Sequence, residues 1–156
     1  MTDKDSSEHY IKRGDPSKPT YYIIRREGGI GLFSNFVTAA GHIRHAFING
    51  YLPVVDMQNY PNPYLSSEKF GKENSWEYYF EQPLRIGLKQ AYNGENIILS
   101  SEEVAPQLYE TMEFLENKNG VLTEWRMLVK LGLLKVKPAL TKEILSLHKK
   151  LFSSKR

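Results

Sequence analysis

Apolar positions fall into short runs and helical stripes that alternate along the chain. Residues 20–26, TYYIIRR, are β-branched and aromatic and lead straight into glycines, the pattern of a strand. The adjacent pair Ile23-Ile24 predicts burial on both faces, as in a parallel sheet. From Leu32 the period lengthens. Phe33, Phe36, Ala40, Ile43 and Phe47 recur at spacings of three and four, predicting a helix that packs this stripe on the sheet and turns Asn35, Thr38, His42 and His45 the other way. Asn49-Gly50 stops that helix, with glycine taking the left-handed position. Residues 52–57 form a second strand with Asp56 at its C-terminal end, and residues 95–100 a third through Ile97, Ile98 and Leu99.

Between the second and third strands, residues 58–72 read as a stiff loop, because Tyr60 and Asn62 each precede a proline and are pushed toward extended backbone. Residues 74–80, NSWEYYF, begin with cap residues, and Trp76 and Phe80 share one helix face that suits a core. Residues 83–94 stay ambiguous, since Gly87 interrupts a helical pattern. After the third strand, Ser100-Ser101-Glu102-Glu103 matches a capping box for a helix buried through Val104, Leu108, Met112 and Leu115 and stopped by Asn119-Gly120. Thr123 opens another helix with Leu128, Leu131 and Leu134 as its contacts. Pro138 suits the first position of a last helix striped by Leu140, Ile144, Leu147 and Leu151. Residues 1–19 show no apolar period and read as a disordered arm, and the last four residues should fray. The expected fold is α/β: a small parallel, Rossmann-like sheet flanked by helices over residues 20–137, followed by a basic helix over residues 138–156.

Composition adds exclusions. The 156 residues contain no cysteine, which removes disulfides, thiolate zinc sites and a cysteine nucleophile. No apolar run approaches a membrane span and the polar start lacks a signal-peptide core, so the expected location is cytoplasmic, with the inner face of the membrane as a place of contact. The net charge of +3 hides an asymmetry: residues 126–156 hold nine Lys/Arg against one acid, Glu143, and residues 1–125 hold twelve against seventeen. Such a basic end suits an acidic partner domain, a solvated helix face or an anionic membrane surface. A nucleic acid is disfavoured, because aromatic interleaving and a binding fold are missing.

The candidate chemistry centres on the glycine turn Gly28, Gly29 and Gly31, placed where a strand hands over to a helix and backbone N–H groups can face a phosphate. A tight turn that binds nothing is the equal alternative, because the cluster is not the dinucleotide fingerprint. Asn35 follows the turn most closely. Asp56, at the edge of a strand where ligands of open α/β sheets bind, either orients a substrate hydroxyl or caps the following loop. Tyr60 and Tyr64 of the aromatic loop, with Glu77 and Tyr78, offer rings and polar tips of the kind that hold sugars. His42 and His45 read as ordinary helix histidines, and no metal is expected.

The strings GGIGLFSNF, GYLPVVDMQNYPNPYL and GKENSWEYYFEQPL carry a resemblance, covering about residues 20–150, to the N-terminal half of bacterial glycosyltransferase-like proteins of the fucosyltransferase superfamily, which includes the protein O-fucosyltransferases and α-1,6-fucosyltransferases. The resemblance implies one half of a GT-B architecture and a metal-independent, inverting transfer from GDP-fucose or a related sugar nucleotide. That nucleotide is a substrate, and no cofactor is implied. It places Gly28, Gly29, Gly31 and Asn35 at the donor diphosphate, and Glu27 at the position of a catalytic acid found in some relatives. Asp56, Tyr60, Tyr64, Glu77 and Tyr78, read from their own chemistry, are the expected contacts of the sugar or acceptor. The family's Arg-x-Gly-x-Asp-like donor segment is absent from these residues, since Arg13-Gly14-Asp15 precedes the first strand. The expected role is therefore the acceptor-side domain of a glycosyltransferase in surface polysaccharide or glycan synthesis, inactive alone and completed by a C-terminal domain or companion chain. The rival roles are a non-catalytic nucleotide- or glycan-binding module and a partner-binding protein that works through the basic terminal helix.

Overall fold

A computed structural model describes residues 9–25, 31–60, 62–100 and 126–152. Strand β1 (His9–Lys12) is followed by β2 (Thr20–Ile24), helix α1 (Leu32–Ile48) and strand β3 (Leu52–Val55). Two 3-10 turns come next, Ser75–Tyr78 and Pro83–Arg85, and then helix α2 (Leu88–Tyr92) and strand β4 (Asn96–Leu99). Residues 126–130 are helical, and helix α3 (Pro138–Phe152) closes the described chain with proline at its first position.

The four strands form one sheet in the order β1-β4-β2-β3. β2 runs parallel to β3, with Tyr22 opposite Pro53, and parallel to β4, with Tyr22 opposite Ile98. β1 lies antiparallel on β4, His9 opposite Leu99, with a register shift before Lys12. The sheet is thus mixed, which corrects the expectation of an all-parallel sheet, and residues 9–19 are not an arm. The Asn96 side chain fastens the turn after β1, accepting from Gly14 N–H at 2.8 Å and donating to the carbonyls of Asp15 and Lys18 at 2.7 and 3.2 Å.

Strand alternation divides the sheet between two cores. Tyr22, Ile24, Val55 and Ile98 face α1, together with Trp76, Leu128, Leu133 and Leu134. Ile23, Val54 and Ile97 face α2 with Ile86, Leu88 and Ala91. Helices therefore cover both faces, which explains why these strands are apolar without interruption. Leu131, expected inside, is 47% exposed, and the turn at Gly132, with φ of +70°, brings Leu133 in instead.

The buried stripe of α1 also differs from expectation. Asn35, Thr38, Ala39, His42, Ile43 and Ala46 are inside, while Phe47 is 45% exposed. Polar residues occupy the inner face because partners exist there. Tyr22 Oη and His42 Nδ1, both buried, lie 3.0 Å apart in a hydrogen bond. The C-terminus of α1 follows the sequence: Gly50 has φ of +74°, and Tyr51 N–H reaches the Ala46 carbonyl at 2.8 Å, closing a Schellman turn.

The outer edge of β3 is covered by side-chain amides in place of a fifth strand. Val55 donates its N–H to Gln82 Oε1 at 3.0 Å and accepts from Gln82 Nε2 at 2.8 Å and Asn74 Nδ2 at 2.7 Å. Met57 N–H donates to Asn74 Oδ1 at 3.1 Å, and the same oxygen takes Trp76 N–H to cap the first 3-10 turn. Pro53 shares the parity of Val55 and points away from β2, so its missing donor costs the ladder nothing. Among the described residues, no helix is long and apolar enough to cross a membrane.

Candidate functional site at the C-terminal sheet edge

Chain order and spatial order part company at β2. The chain moves from β2 to β3 on one side and later to β4 on the other, with α1 and α2 on opposite faces. Between β2 and β4 the strand order reverses, and at such a reversal the connections diverge and leave a crevice outside the carboxyl ends of the strands.

Ser100, just past β4, closes that point: its hydroxyl donates to the Arg25 carbonyl and accepts the Arg25 N–H, both at 2.9 Å. Parity then puts the Arg25 side chain on the α2 face with Ile23, and Asp56 on the same face with Val54. Arg25 Nε donates to Asp56 Oδ2 at 3.0 Å. Tyr92 joins from α2, whose side chains lean toward the helix N-terminus and so toward this edge. Its hydroxyl lies 2.6 Å from Asp56 Oδ2 and 2.8 Å from Arg25 Nη2, and its ring lies 5.8 Å from the guanidinium carbon.

Asp56 is fully buried and fully occupied. Oδ1 accepts the backbone N–H groups of Gln58 and Asn59 at 3.0 Å each, and the Asn59 amide reaches both oxygens at 3.2 and 3.1 Å. Of the two roles weighed for it, these bonds describe the cap of the following loop. Burial pushes its carboxyl up, but hydrogen bonds from Tyr92, Gln58 and Asn59 outweigh that, so its pKa lies below the ordinary value. Burial, then the bond to Asp56, pushes the Tyr92 phenol well up, which keeps it a neutral donor. Arg25, whose side chain is 31% exposed, is the cation this arrangement holds at the carboxyl edge of the sheet.

The other expected residues are spread. Asn35 and Tyr60, both buried, line a narrow recess on the α1 face with Ile24, Thr38, Val55 and Met57, with room for about one water molecule. Tyr64 packs half-buried against the α1-side core. Glu77 lies on the far side of the β3 edge, where its carboxylate accepts from Gln82 Nε2 at 3.0 Å. It lines an open groove of about 400 Å³ with Glu81, Gln82, Arg85, Gly87 and Lys137. Tyr78 is absent from that lining; its hydroxyl donates to Glu73 at 2.6 Å, beneath Lys69. Gly31 is the N-cap of α1, with ordinary φ of −56° and no side chain capping the helix. Glu27, Gly28 and Gly29 lie outside the described residues, as do the capping box beyond Ser100 and the helix expected after it.

Arg25 and Tyr92 were missed as site residues when the sequence was read alone. Parity held a signal for Arg25: two neighbouring parallel strands end in opposite charges two residues after Ile23 and Val54. Nothing comparable marked Tyr92. Among the described residues no cluster of three His, Cys, Asp or Glu could hold a metal ion. Comparison with protein-family models, with curated proteins and with solved structures finds no match to this chain.

Proposed function

We propose that this chain is the acceptor-side, Rossmann-like half of a GT-B glycosyltransferase and that it holds the diphosphate of a sugar nucleotide, GDP-fucose in the first instance, at the crevice between β2 and β4. The observation that carries the reading is the guanidinium of Arg25, fixed by Asp56 and Tyr92 where the strand order reverses and immediately before the residues that lead into the uncapped N-terminus of α1. A partly exposed guanidinium presents forked donors that match phosphate oxygens, and a helix N-terminus adds backbone donors of the same polarity. The family resemblance of residues 20–150 supports the same assignment. In this reading the groove beside Glu77 receives the acceptor glycan, and a companion domain or chain supplies the second wall of the cleft.

Titration of the purified chain with GDP-fucose and with guanosine, followed by amide chemical shifts, tests the proposal. Weak saturable shifts are expected at Arg25, Asp56, Ser100 and the first turn of α1 with GDP-fucose and not with guanosine. Arg25→Ala should weaken binding roughly 10- to 150-fold, the equivalent of one charge-assisted hydrogen bond, while the shift dispersion of the folded chain persists. No sugar should be transferred by the chain alone. Absence of shifts, or shifts indifferent to Arg25→Ala, would defeat the diphosphate assignment.

A further inference from the structure

Helix α3 shows an apolar face to solvent. Ile144, Leu145 and Leu147 are 53%, 55% and 51% exposed, and all of residues 141–150 are exposed. Leu140, Ile144, Leu147 and, in the sequence, Leu151 follow one another at spacings of four, three and four, the repeat that lays a continuous seam along one helix for another helix to fill. Leu145 stands apart from the seam, with Thr141 and His148 between them on the helical projection. Such polar interruption of the apolar arc fits a helix partner better than lipid, which favours an unbroken apolar face.

Charge selects the partner. Glu143 and Lys150 lie seven residues apart and flank the seam on the same side, whereas Lys142 and Lys149 project from the back. If two copies of α3 lie antiparallel with Ile144 against Leu147 of the other copy, each Glu143 meets the other copy's Lys150. The arrangement is two-fold symmetric and forms the ion pair twice. A parallel arrangement instead places Glu143 beside His148 and leaves the Glu143–Lys150 pairs unformed.

We infer that α3 is a self-association surface through which two copies of this chain pair as antiparallel helices, with Ile144 and Leu147 at the centre and two Glu143–Lys150 pairs at the margin. The surface is independent of the sugar-nucleotide crevice. The seam is only about two heptads long, so a dissociation constant on the order of 100 µM is expected, within the range of weak, transient interfaces.

Sedimentation velocity of the purified chain from roughly 10 µM to 1 mM tests this. A monomer–dimer equilibrium is expected, abolished by Ile144→Glu, a change at an exposed position that circular dichroism should show to leave the fold intact. Lys150→Glu should weaken the dimer by about tenfold by setting acid against acid. Glu143→Lys combined with Lys150→Glu should restore it, which distinguishes antiparallel charge pairing from a general effect of charge. A monomer throughout the concentration range overturns the inference, as does a dimer that survives Ile144→Glu or a double swap that fails to restore association. A chain that stays monomeric and binds phosphatidylserine vesicles would replace it with a membrane role.

Discussion

Replacing Asp56 by alanine removes an acceptor that takes six hydrogen bonds from Arg25, Tyr92, Gln58 and Asn59. Donors stranded in the interior lose about 1–3 kcal/mol each. Here most of them are only partly buried, so water can reach them and the low end applies. About 3–5 kcal/mol in total is the consequence, matching the loss expected when one member of a buried ion pair is deleted. With a urea slope of about 2 kcal/mol/M for a chain of this size, the unfolding midpoint should fall by roughly 2 M. Asp56→Asn keeps an oxygen for the loop N–H groups but turns a donor toward Arg25, so about half that loss is expected. Arg25→Ala leaves Asp56 five of its six bonds and should cost about 1 kcal/mol. The order alanine at 56, asparagine at 56, alanine at 25 is the test. If Asp56→Ala shifts the midpoint by less than about 0.5 M, or if Arg25→Ala is the more damaging change, the carboxylate does not organise this edge. The pH dependence follows with a fixed sign. Because the folded-state pKa of Asp56 is depressed, its stabilisation is complete above the unfolded-state value near ~3.9 and is lost as the pH falls through the folded value. Asp56→Asn should therefore flatten the acid limb of the stability curve.

Three more substitutions probe the frame around the site. A Cβ at Gly94 would collide with the ring of Tyr21 and lie 3.0 Å from the Ala91 carbonyl, so Gly94→Ala should cost about 1–3 kcal/mol in thermal unfolding. At Gly31 a Cβ meets nothing among the described residues within 4 Å, and Gly31→Ala should change stability by no more than about 0.5 kcal/mol; a large loss there would reveal a contact not accounted for. Gln82→Ala strips the Val55 peptide of two partners at the sheet edge, so a loss of about 2 kcal/mol and faster aggregation on light scattering are expected, and an unchanged melting curve would show that water covers the edge equally well.

Strands β2, β3 and β4 and helix α1 were legible in the sequence because each carries a period set by its own backbone and bounded by Gly, Asn or Pro. β1 was not legible. HYIK is short and charged, and it is held by backbone pairing to β4 and by the Asn96 side chain, neither of which leaves an apolar pattern. The buried face of α1 was misplaced for a different reason. Its inner positions include Asn35, Thr38 and His42, and whether a polar side chain can go inside depends on a partner distant in the chain, as Tyr22 is for His42. The site was legible to the level of an edge. Asp56 stood where ligands bind in such sheets, but its saturation by loop N–H groups depends on how residues 57–59 fold back. The link to Arg25 and Tyr92 depends on a face shared across two strands and a helix. Glu77 was singled out with Tyr78, yet 3-10 geometry points them to different surroundings.

The position of β1 has a consequence for the order in which the molecule can assemble. Its neighbour β4 is made some 85 residues later, with His9 waiting for Leu99. The β2–β3 pair, joined by the local helix α1, can form while the rest of the chain is still being synthesised; β4 and then β1 can be added only after residue 99 exists. Because closing a long loop precedes any reward from the contacts it brings, the N-terminal strand should dock last and slow the final folding step. Of the four strands, the first to be synthesised would then be the last to find its place.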